Sequence, residues 1–402
     1  MDLPLWPEWP PRFGVLLFFA VALLATALVG ELLGRRAGLP RVTGYALCGL
    51  VLGPLVLGGF AQDDLVTWRG VLDLALALLL FELGIRLDLR WFRANPWILA
   101  SSLAEAALSF VLTLGALLAI GVGKEVALAV AAISVGTSPA IVMRVTAELR
   151  AAGQVTERLQ ALCALNVGYS VILFKLVMGA LYGAEVQTWW VAVLHPLYLF
   201  AGSLLVGTLV AVAFVGLRRA VDPGTEQGAV AIFGLLLAAI AVLTALRLPT
   251  LLAPLLAGLL VKWHDPRPHR WPQHLGTAGG VLVIALFMLS GAAVSATQLA
   301  QGLAAALVAV LVRIVAKLGG VMMFGAKSGL GLRKSFALGV ALLPLSAVAV
   351  LLVEDVRMLY PSFADQLAPV VMSMVAVLGL VGPVATQRAL IHAREHRSGD
   401  KS

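Results

Sequence analysis

Apolar residues dominate the chain in long runs, and short stretches with charges, prolines or glycines separate these runs. Nearly every run is long enough to cross a hydrocarbon layer of about 30 Å as an α-helix. The pattern predicts an all-α integral membrane protein with about thirteen transmembrane segments. Numbered 1 to 13 along the chain, they lie near residues 13–34, 40–60, 68–88, 96–121, 127–147, 159–181, 189–217, 227–246, 249–262, 275–297, 301–326, 335–353 and 367–390.

Composition supports the membrane assignment and excludes several other classes of protein. The chain is 61% hydrophobic and only 12% charged, far from a soluble globular composition. It has no glycine-rich phosphate loop, no histidine-rich metal cluster and no evident nucleophile with a base, so we expect no enzymatic activity and no cofactor. Cys48 and Cys163 lie inside predicted segments, where neither a structural disulfide nor a metal site is expected.

The basic residues predict the orientation. Most of the 29 lysines and arginines lie on one side of the predicted segments. This bias explains the high pI without a nucleic-acid partner, and by the positive-inside rule it places the N-terminus outside and the C-terminus in the cytoplasm. We expect a multi-pass cell (inner) membrane protein with one transmembrane domain, residues 1–390, and a short basic tail, residues 391–402. The basic residues outside would be Arg12, Arg69, Lys124, Arg247 and Arg357.

Two segments carry an interruption near their centres. Segment 5 contains Gly-Thr-Ser-Pro ending at Pro139, and segment 12 contains Leu-Pro-Leu-Ser around Pro344. Proline removes a backbone donor and clashes with the preceding turn, so both helices should break there. Segments 4–6 would then correspond to segments 11–13 in inverted orientation, and paired interruptions of this kind point to the binding site of a transporter. The alternative for segment 5 is a kink that the hydroxyls of Thr137 and Ser138 repair.

Four ionisable residues lie deep inside predicted segments, where charges are costly and usually face a partner or a cavity. They are Glu82, Glu105, Arg313 and Lys317, and the last two share one helix face because they are four residues apart. They are candidates either for a transport site or for ion pairs that hold the helices together. Asp73 is close enough to a segment end to reach water, and Lys175 is expected to extend outward to water.

Five motifs, together with Arg313 and Lys317, follow one another along almost the whole chain. They are Leu39-Pro40-Arg41-Val42-Thr43-Gly44-Tyr45, Gly49-Leu50-Val51-Leu52-Gly53-Pro54, Leu79-Leu80-Phe81-Glu82-Leu83-Gly84-Ile85-Arg86-Leu87-Asp88, Ser138-Pro139-Ala140-Ile141-Val142-Met143-Arg144 and Ala253-Pro254-Leu255-Leu256-Ala257-Gly258-Leu259-Leu260. In these motifs the chain resembles monovalent cation:proton antiporters, the Kef-like and NapA-like sodium or potassium/proton exchangers. The resemblance implies thirteen segments in inverted repeats with two crossed broken helices, the NhaA/NapA-like fold. It also implies a scaffold of segments 1–3 and 8–10, and a mobile core of segments 4–7 and 11–13 that moves like an elevator.

The site departs from the pattern of these antiporters. They usually carry an aspartate on segment 6 that binds the cation and the proton alternately, whereas this chain has Asn166-Val167 there. Many relatives also carry Thr-Asp-Pro where this chain has Thr137-Ser138-Pro139. For a cation/proton exchanger, the titrating carboxylate would therefore have moved to Glu82 or Glu105. Neutral oxygens for the ion would come from Thr137, Ser138 and Asn166.

Two other functions stay open from the sequence. Without the aspartate, Arg313 and Lys317 would be underpaired, and together with the positive ends of half-helices they would favour an anionic or organic solute. The other hypothesis is a membrane subunit that does not transport and serves as a sensor or scaffold. In each case the expected partners are the lipid bilayer and a second copy of the chain, because the resemblance implies a homodimer. The small residues Gly49, Gly53 and Gly58 allow close helix packing either at such a dimer contact or inside one protomer.

Overall fold

The structure is a computed structural model that describes residues 15–60, 62–185, 189–265, 273–345 and 347–396. All regular secondary structure in these ranges is helical, and a π-helical turn, Leu33–Ala37, extends the first helix. The helices are α1 Val15–Leu32, α2 Arg41–Leu52, α3 Gln62–Arg86, α4 Leu89–Ala94, α5 Pro96–Ala119, α6 Lys124–Val135, α7 Pro139–Glu148, α8 Gln154–Glu185, α9 Trp189–Ala220, α10 Glu226–Ala245, α11 Leu252–His264, α12 Gln273–Ala292, α13 Ala296–Gly325, α14 Leu332–Ala341, α15 Ala347–Leu359 and α16 Pro361–His392.

The helices follow the hydrophobic pattern closely. Each predicted segment contains one helix, except that segments 5 and 12 each contain two half-helices, α6 with α7 and α14 with α15. Within the described ranges, eight helices are long and apolar enough to cross a membrane, counting the broken Lys124–Glu148 as one. The all-helical membrane fold is therefore confirmed. The number of crossings stays a prediction because α2, α11 and the described part of α12 are shorter apolar helices.

Helix α13, which carries both deep basic residues, has a well-defined start. The Ser295 hydroxyl accepts a hydrogen bond from the Gln298 N–H at 3.2 Å, and the Gln298 side chain accepts one from the Ser295 N–H at 3.1 Å. This reciprocal capping box satisfies two N–H groups that the helix itself leaves free. It fixes where α13 begins and hence how deep its later turns lie.

Two apolar cores hold the helices together. The larger core includes side chains of α5, α6, α8, α13 and α16, and the smaller one those of α3, α9, α10 and α11. Glycines allow close approach at several contacts between helices. A Cβ on Gly49 would lie 2.1 Å from the Met288 carbonyl oxygen, and one on Gly53 would lie 2.7 Å from the Ala292 Cα. These two glycines therefore pack α2 against α12 within one protomer.

Candidate functional site

The two broken helices meet at their interruptions. Between α6 and α7 the backbone is extended, with φ −60° and ψ 151° at Gly136. The Ser138 N–H donates to the Pro344 carbonyl at 2.9 Å, and the Thr137 hydroxyl donates to the Leu342 carbonyl at 3.0 Å. The predicted crossing of segments 5 and 12 is therefore confirmed, and Pro139 begins the second half-helix of segment 5 as expected. Ser346, the last residue of the second interruption, lies outside the described residues.

Arg313 completes the hydrogen bonding of both interruptions. The side chain is fully buried, and its guanidinium donates to the carbonyls of Ser134 and Gly136 in the first interruption. It also donates to the carbonyls of Leu342 and Leu343 in the second, both at 3.3 Å. Carbonyls freed in a membrane interior must be satisfied by protein or water. The planar fork of arginine, with five N–H donors, suits this role better than the single ammonium of lysine.

Small polar side chains bind more of the freed groups, and the sequence reasoning did not identify them. Ser170 donates to the Ala132 carbonyl at 2.9 Å, and Thr386 donates to the Ala341 carbonyl at 3.1 Å. The Cys163 thiol lies 3.5 Å from the Thr137 carbonyl. All three side chains are buried. The sequence signal that would have found them is a Ser, Thr or Cys on a segment that neighbours a segment with a predicted break.

A buried ion pair lies beside the first interruption. The Lys317 ammonium contacts the Glu105 carboxylate, and both side chains are fully buried. The same ammonium donates to the Val135 carbonyl at 2.8 Å and to the Thr137 hydroxyl at 3.3 Å. Asn166 donates from Nδ2 to the Thr137 hydroxyl at 3.2 Å. Four of the predicted site residues thus converge on one point.

Two oxygens at this point have no hydrogen-bond partner among the described residues. They are Oε2 of Glu105 and Oδ1 of Asn166, and both are buried. A buried acceptor without a partner costs about 1–3 kcal/mol, so it needs a reason in a native fold. Carboxylate and amide oxygens are ligands that suit a hard cation. With the Thr137 hydroxyl, they form a candidate set of cation ligands.

Helix α5 supplies the carboxylate because it packs closely on α13. A Cβ on Gly320 would lie 2.3 Å from the Glu105 Cα, so the two helices touch through backbone at this turn. Lys317, one turn earlier on α13, therefore reaches Glu105. Val167, at the usual aspartate position, is fully buried in the apolar core. The partner of the lysine thus comes from α5 instead of α8.

Glu82 lies apart from this cluster. It forms a salt bridge with Arg86 one turn later at 2.6 Å, and both side chains line a cavity of about 450 Å³ between α3, α7, α8 and α12. The cavity opens at the predicted cytoplasmic end, and its wall also carries Arg144 and Arg150. Of the two acids that the sequence left as alternatives, Glu105 is the one that pairs with Lys317, which in turn binds the first interruption.

Asp73 and Lys175 differ from their predicted positions. Asp73 is 4% exposed and accepts a hydrogen bond from Thr250 at 2.8 Å, and Lys175 forms a salt bridge with Asp355 at 2.8 Å. The predictions that these two side chains extend to water are therefore wrong. Sequence position alone placed them near segment ends but did not reveal the partners on other helices.

Comparison with known proteins identifies the family. The profile of the family "sodium/hydrogen exchanger, transmembrane" matches residues 20–392. The Na(+)/H(+)-K(+) antiporter GerN of Bacillus cereus is 40% identical over 91 residues, 22% of either chain, so the match spans about a fifth of that relative.

Solved structures show the same fold. The sodium proton antiporter MjNhaP1 of Methanocaldococcus jannaschii at pH 8 superposes with a TM-score of 0.66 at 16% identity, over 94% of this chain and 96% of that one. The structure of the same antiporter from electron microscopy gives a TM-score of 0.74 at 14% identity, over 95% and 98%. The resemblance read from the motifs is thus confirmed, and this multi-pass membrane protein belongs to the sodium/hydrogen exchanger family.

Proposed function

We propose that the protein exchanges a monovalent cation, Na⁺ or K⁺, for protons across the cell membrane, with Glu105 and Lys317 at the centre of the site. The observation that carries this proposal is the fully buried ion pair beside the interruption of α6 and α7. The cation would take the place of the ammonium next to the Glu105 carboxylate. The Thr137 hydroxyl and the Asn166 amide oxygen would complete its ligands.

Charge balance gives the coupling. Arg313, Lys317 and Glu105 together carry one net positive charge in a fully buried site. Adding a cation would raise this to two positive charges, which is costly at low dielectric. Release of one proton from the Lys317 ammonium to water restores the original charge, while arginine stays protonated. We therefore propose that one cation replaces one proton, so that each exchange is electrically neutral.

Access to the site would alternate by an elevator motion. The mobile core would consist of α5–α9 and α13–α16, and the scaffold of α1–α3 and α10–α12. The cavity of about 450 Å³ lies between α3 and α12 of this scaffold and α7 and α8 of this core. It would be the entry from the cytoplasm if the N-terminus lies outside, as the basic residues predict.

The test is a proteoliposome assay of the purified protein with a pH-sensitive dye inside. An imposed pH gradient should collapse when NaCl or KCl is added outside, and choline chloride should have no effect. The rate of exchange should be the same whether or not valinomycin clamps the membrane voltage, because the exchange is electrically neutral. No cation-dependent proton movement with any monovalent cation would contradict the proposal.

One observation favours a second candidate, transport of a small anionic solute. Among the described residues that line the cytoplasmic cavity, the bases are Arg86, Arg144 and Arg150, and the one acid is Glu82. This wall would attract an anion and repel a cation. In the same liposomes, collapse of the gradient by choline salts of acetate, lactate or phosphate, but not by NaCl, would favour this candidate. No flux in either set would favour a sensor or scaffold that does not transport.

We also expect a homodimer. The apolar outer face of α1, with Leu16, Val21, Leu24 and Leu28 exposed, is available for a second copy or for lipid. Gly49 and Gly53 are used inside the protomer, so the dimer contact must come from other side chains. Native mass spectrometry from lipid nanodiscs should give twice the chain mass of 42.1 kDa. A mass of one chain in both nanodiscs and mild detergent would contradict the dimer.

A further inference from the structure

A second charged cluster lies at the predicted outer end of the molecule, away from the interruptions of the two broken helices. Arg69 and Asp73 belong to α3, Lys175 to α8 and Asp355 to α15. The Asp355 carboxylate contacts the Arg69 guanidinium and also binds the Lys175 ammonium at 2.8 Å. The Arg69 guanidinium lies 3.7 Å from the Asp73 carboxylate. Arg69 therefore joins α3 to the helices that carry the site.

The four side chains are largely shielded from water. Their exposed fractions are 22% for Arg69, 5% for Asp73, 16% for Lys175 and 22% for Asp355. An ion left without a partner in such surroundings costs several kcal/mol. Glu354 and Arg357, next to Asp355 in sequence, pair with each other at 3.7 Å on the same helix.

The four charges can divide into two neutral pairs. Arg69 and Asp73 are one turn apart on α3, so they can pair without any other helix. Lys175 and Asp355 are already paired, and α8 and α15 both lie in the proposed mobile core. If α3 separates from α8 and α15, no charge is left alone. Among the described residues, the one salt bridge of the cluster across the boundary joins Arg69 to Asp355, and it can break at low cost. The Arg69 guanidinium also lies 3.2 Å from the Met358 sulfur on α15, a weak neutral contact.

We propose that Arg69 is a latch on the outer side. In the present arrangement it binds Asp355 and holds α3 against α8 and α15, which closes the outer path to the site. In the outward-open arrangement it releases Asp355 and pairs with Asp73 on its own helix. Lys175 neutralises Asp355 after release. The latch works whatever solute is transported, so its test does not depend on the exchange activity.

Thiol labelling can test the latch. Val171 is fully buried on α8 between Asn166 and Lys175 in the present arrangement. Under the proposal it becomes accessible when α3 separates from α8 and the outer side opens. The reporter is Val171→Cys in a chain with Cys48→Ala and Cys163→Ala, in right-side-out vesicles with a membrane-impermeant maleimide. Arg69→Gln should speed labelling about fivefold, because it removes the bond that holds the closed arrangement.

Variants of opposite effect separate the latch from a general loss of stability. Lys175→Gln leaves Asp355 unpaired after release, and Asp73→Asn leaves Arg69 unpaired. Both should therefore slow labelling, whereas a loosened fold would speed it in every variant. Arg247→Gln is the matched control, since Arg247 lines the adjacent cavity of about 470 Å³ without a salt bridge to any described residue. Labelling that is unchanged in Arg69→Gln, or that changes in the same direction in Arg69→Gln and Lys175→Gln, would overturn the proposal.

Discussion

Replacing Glu105 by glutamine is expected to abolish cation-dependent proton movement in proteoliposomes. The change keeps the size of the side chain but removes the negative charge beside Lys317. The site would then carry two positive charges and no carboxylate, so a cation would meet repulsion and lose its one charged ligand. We expect at least a hundredfold lower exchange rate, because loss of an ion-pair partner in a fully buried site costs about 3 kcal/mol or more.

Glu82→Gln is the matched control for this experiment. Glu82 is also an acid on a membrane helix, but it pairs with Arg86 in the cytoplasmic cavity and does not contact the interruptions. We expect exchange to persist in this variant, with at most a change in apparent cation affinity at the cytoplasmic side. Full exchange in Glu105→Gln, or loss only in Glu82→Gln, would contradict the proposal that Glu105 is the charged ligand of the cation.

Replacing Arg313 by leucine is expected to destabilise the whole fold. The substitution fills similar apolar space but leaves the carbonyls of Ser134, Gly136, Leu342 and Leu343 without this donor. Each buried group without a partner costs about 1–3 kcal/mol. Even with partial relaxation, the loss should exceed about 3 kcal/mol and lower the melting temperature in detergent by about 3 °C or more.

The melting temperature of Arg313→Lys should fall between those of the unmutated protein and Arg313→Leu. The reason is that an ammonium carries the charge but cannot reach both interruptions at once. Arg35→Leu is the surface control, since its side chain is 77% exposed and pairs only with Glu31 among the described residues. Equal melting temperatures for Arg313→Leu and Arg35→Leu would show that the interruptions do not depend on this guanidinium.

The helices and their breaks were readable from the sequence because the bilayer imposes simple rules. Apolar length marks a membrane helix, and Pro139 and Pro344 mark the positions where backbone groups are freed. Four-residue spacing placed Arg313 and Lys317 on one face. These signals are local, so no knowledge of neighbouring helices was needed.

The pairing of charges could not be predicted because it depends on contacts between distant segments. Glu82 and Glu105 looked equivalent in sequence, and only the close packing at Gly320 brings Glu105 to Lys317. One small residue among 40 glycines gives no local sign of this contact. For the same reason Asp73 and Lys175 were expected in water, although their partners Thr250 and Asp355 lie far along the chain.

The reach of Arg313 across both interruptions has a consequence for biosynthesis. Arg313 follows Gly136 by 177 residues, so the first interruption is made long before its donor exists. At 5–20 residues per second, the wait is about 10–35 s. During this time the carbonyl groups of segment 5 must be solvated by water or by the insertion machinery, since lipid cannot bind them. The N-terminal half therefore cannot reach its final hydrogen bonding alone. In a nascent chain stalled before Arg313, the carbonyl groups of segment 5 would stay without this donor, and cellular quality control would be able to recognise the chain as incomplete.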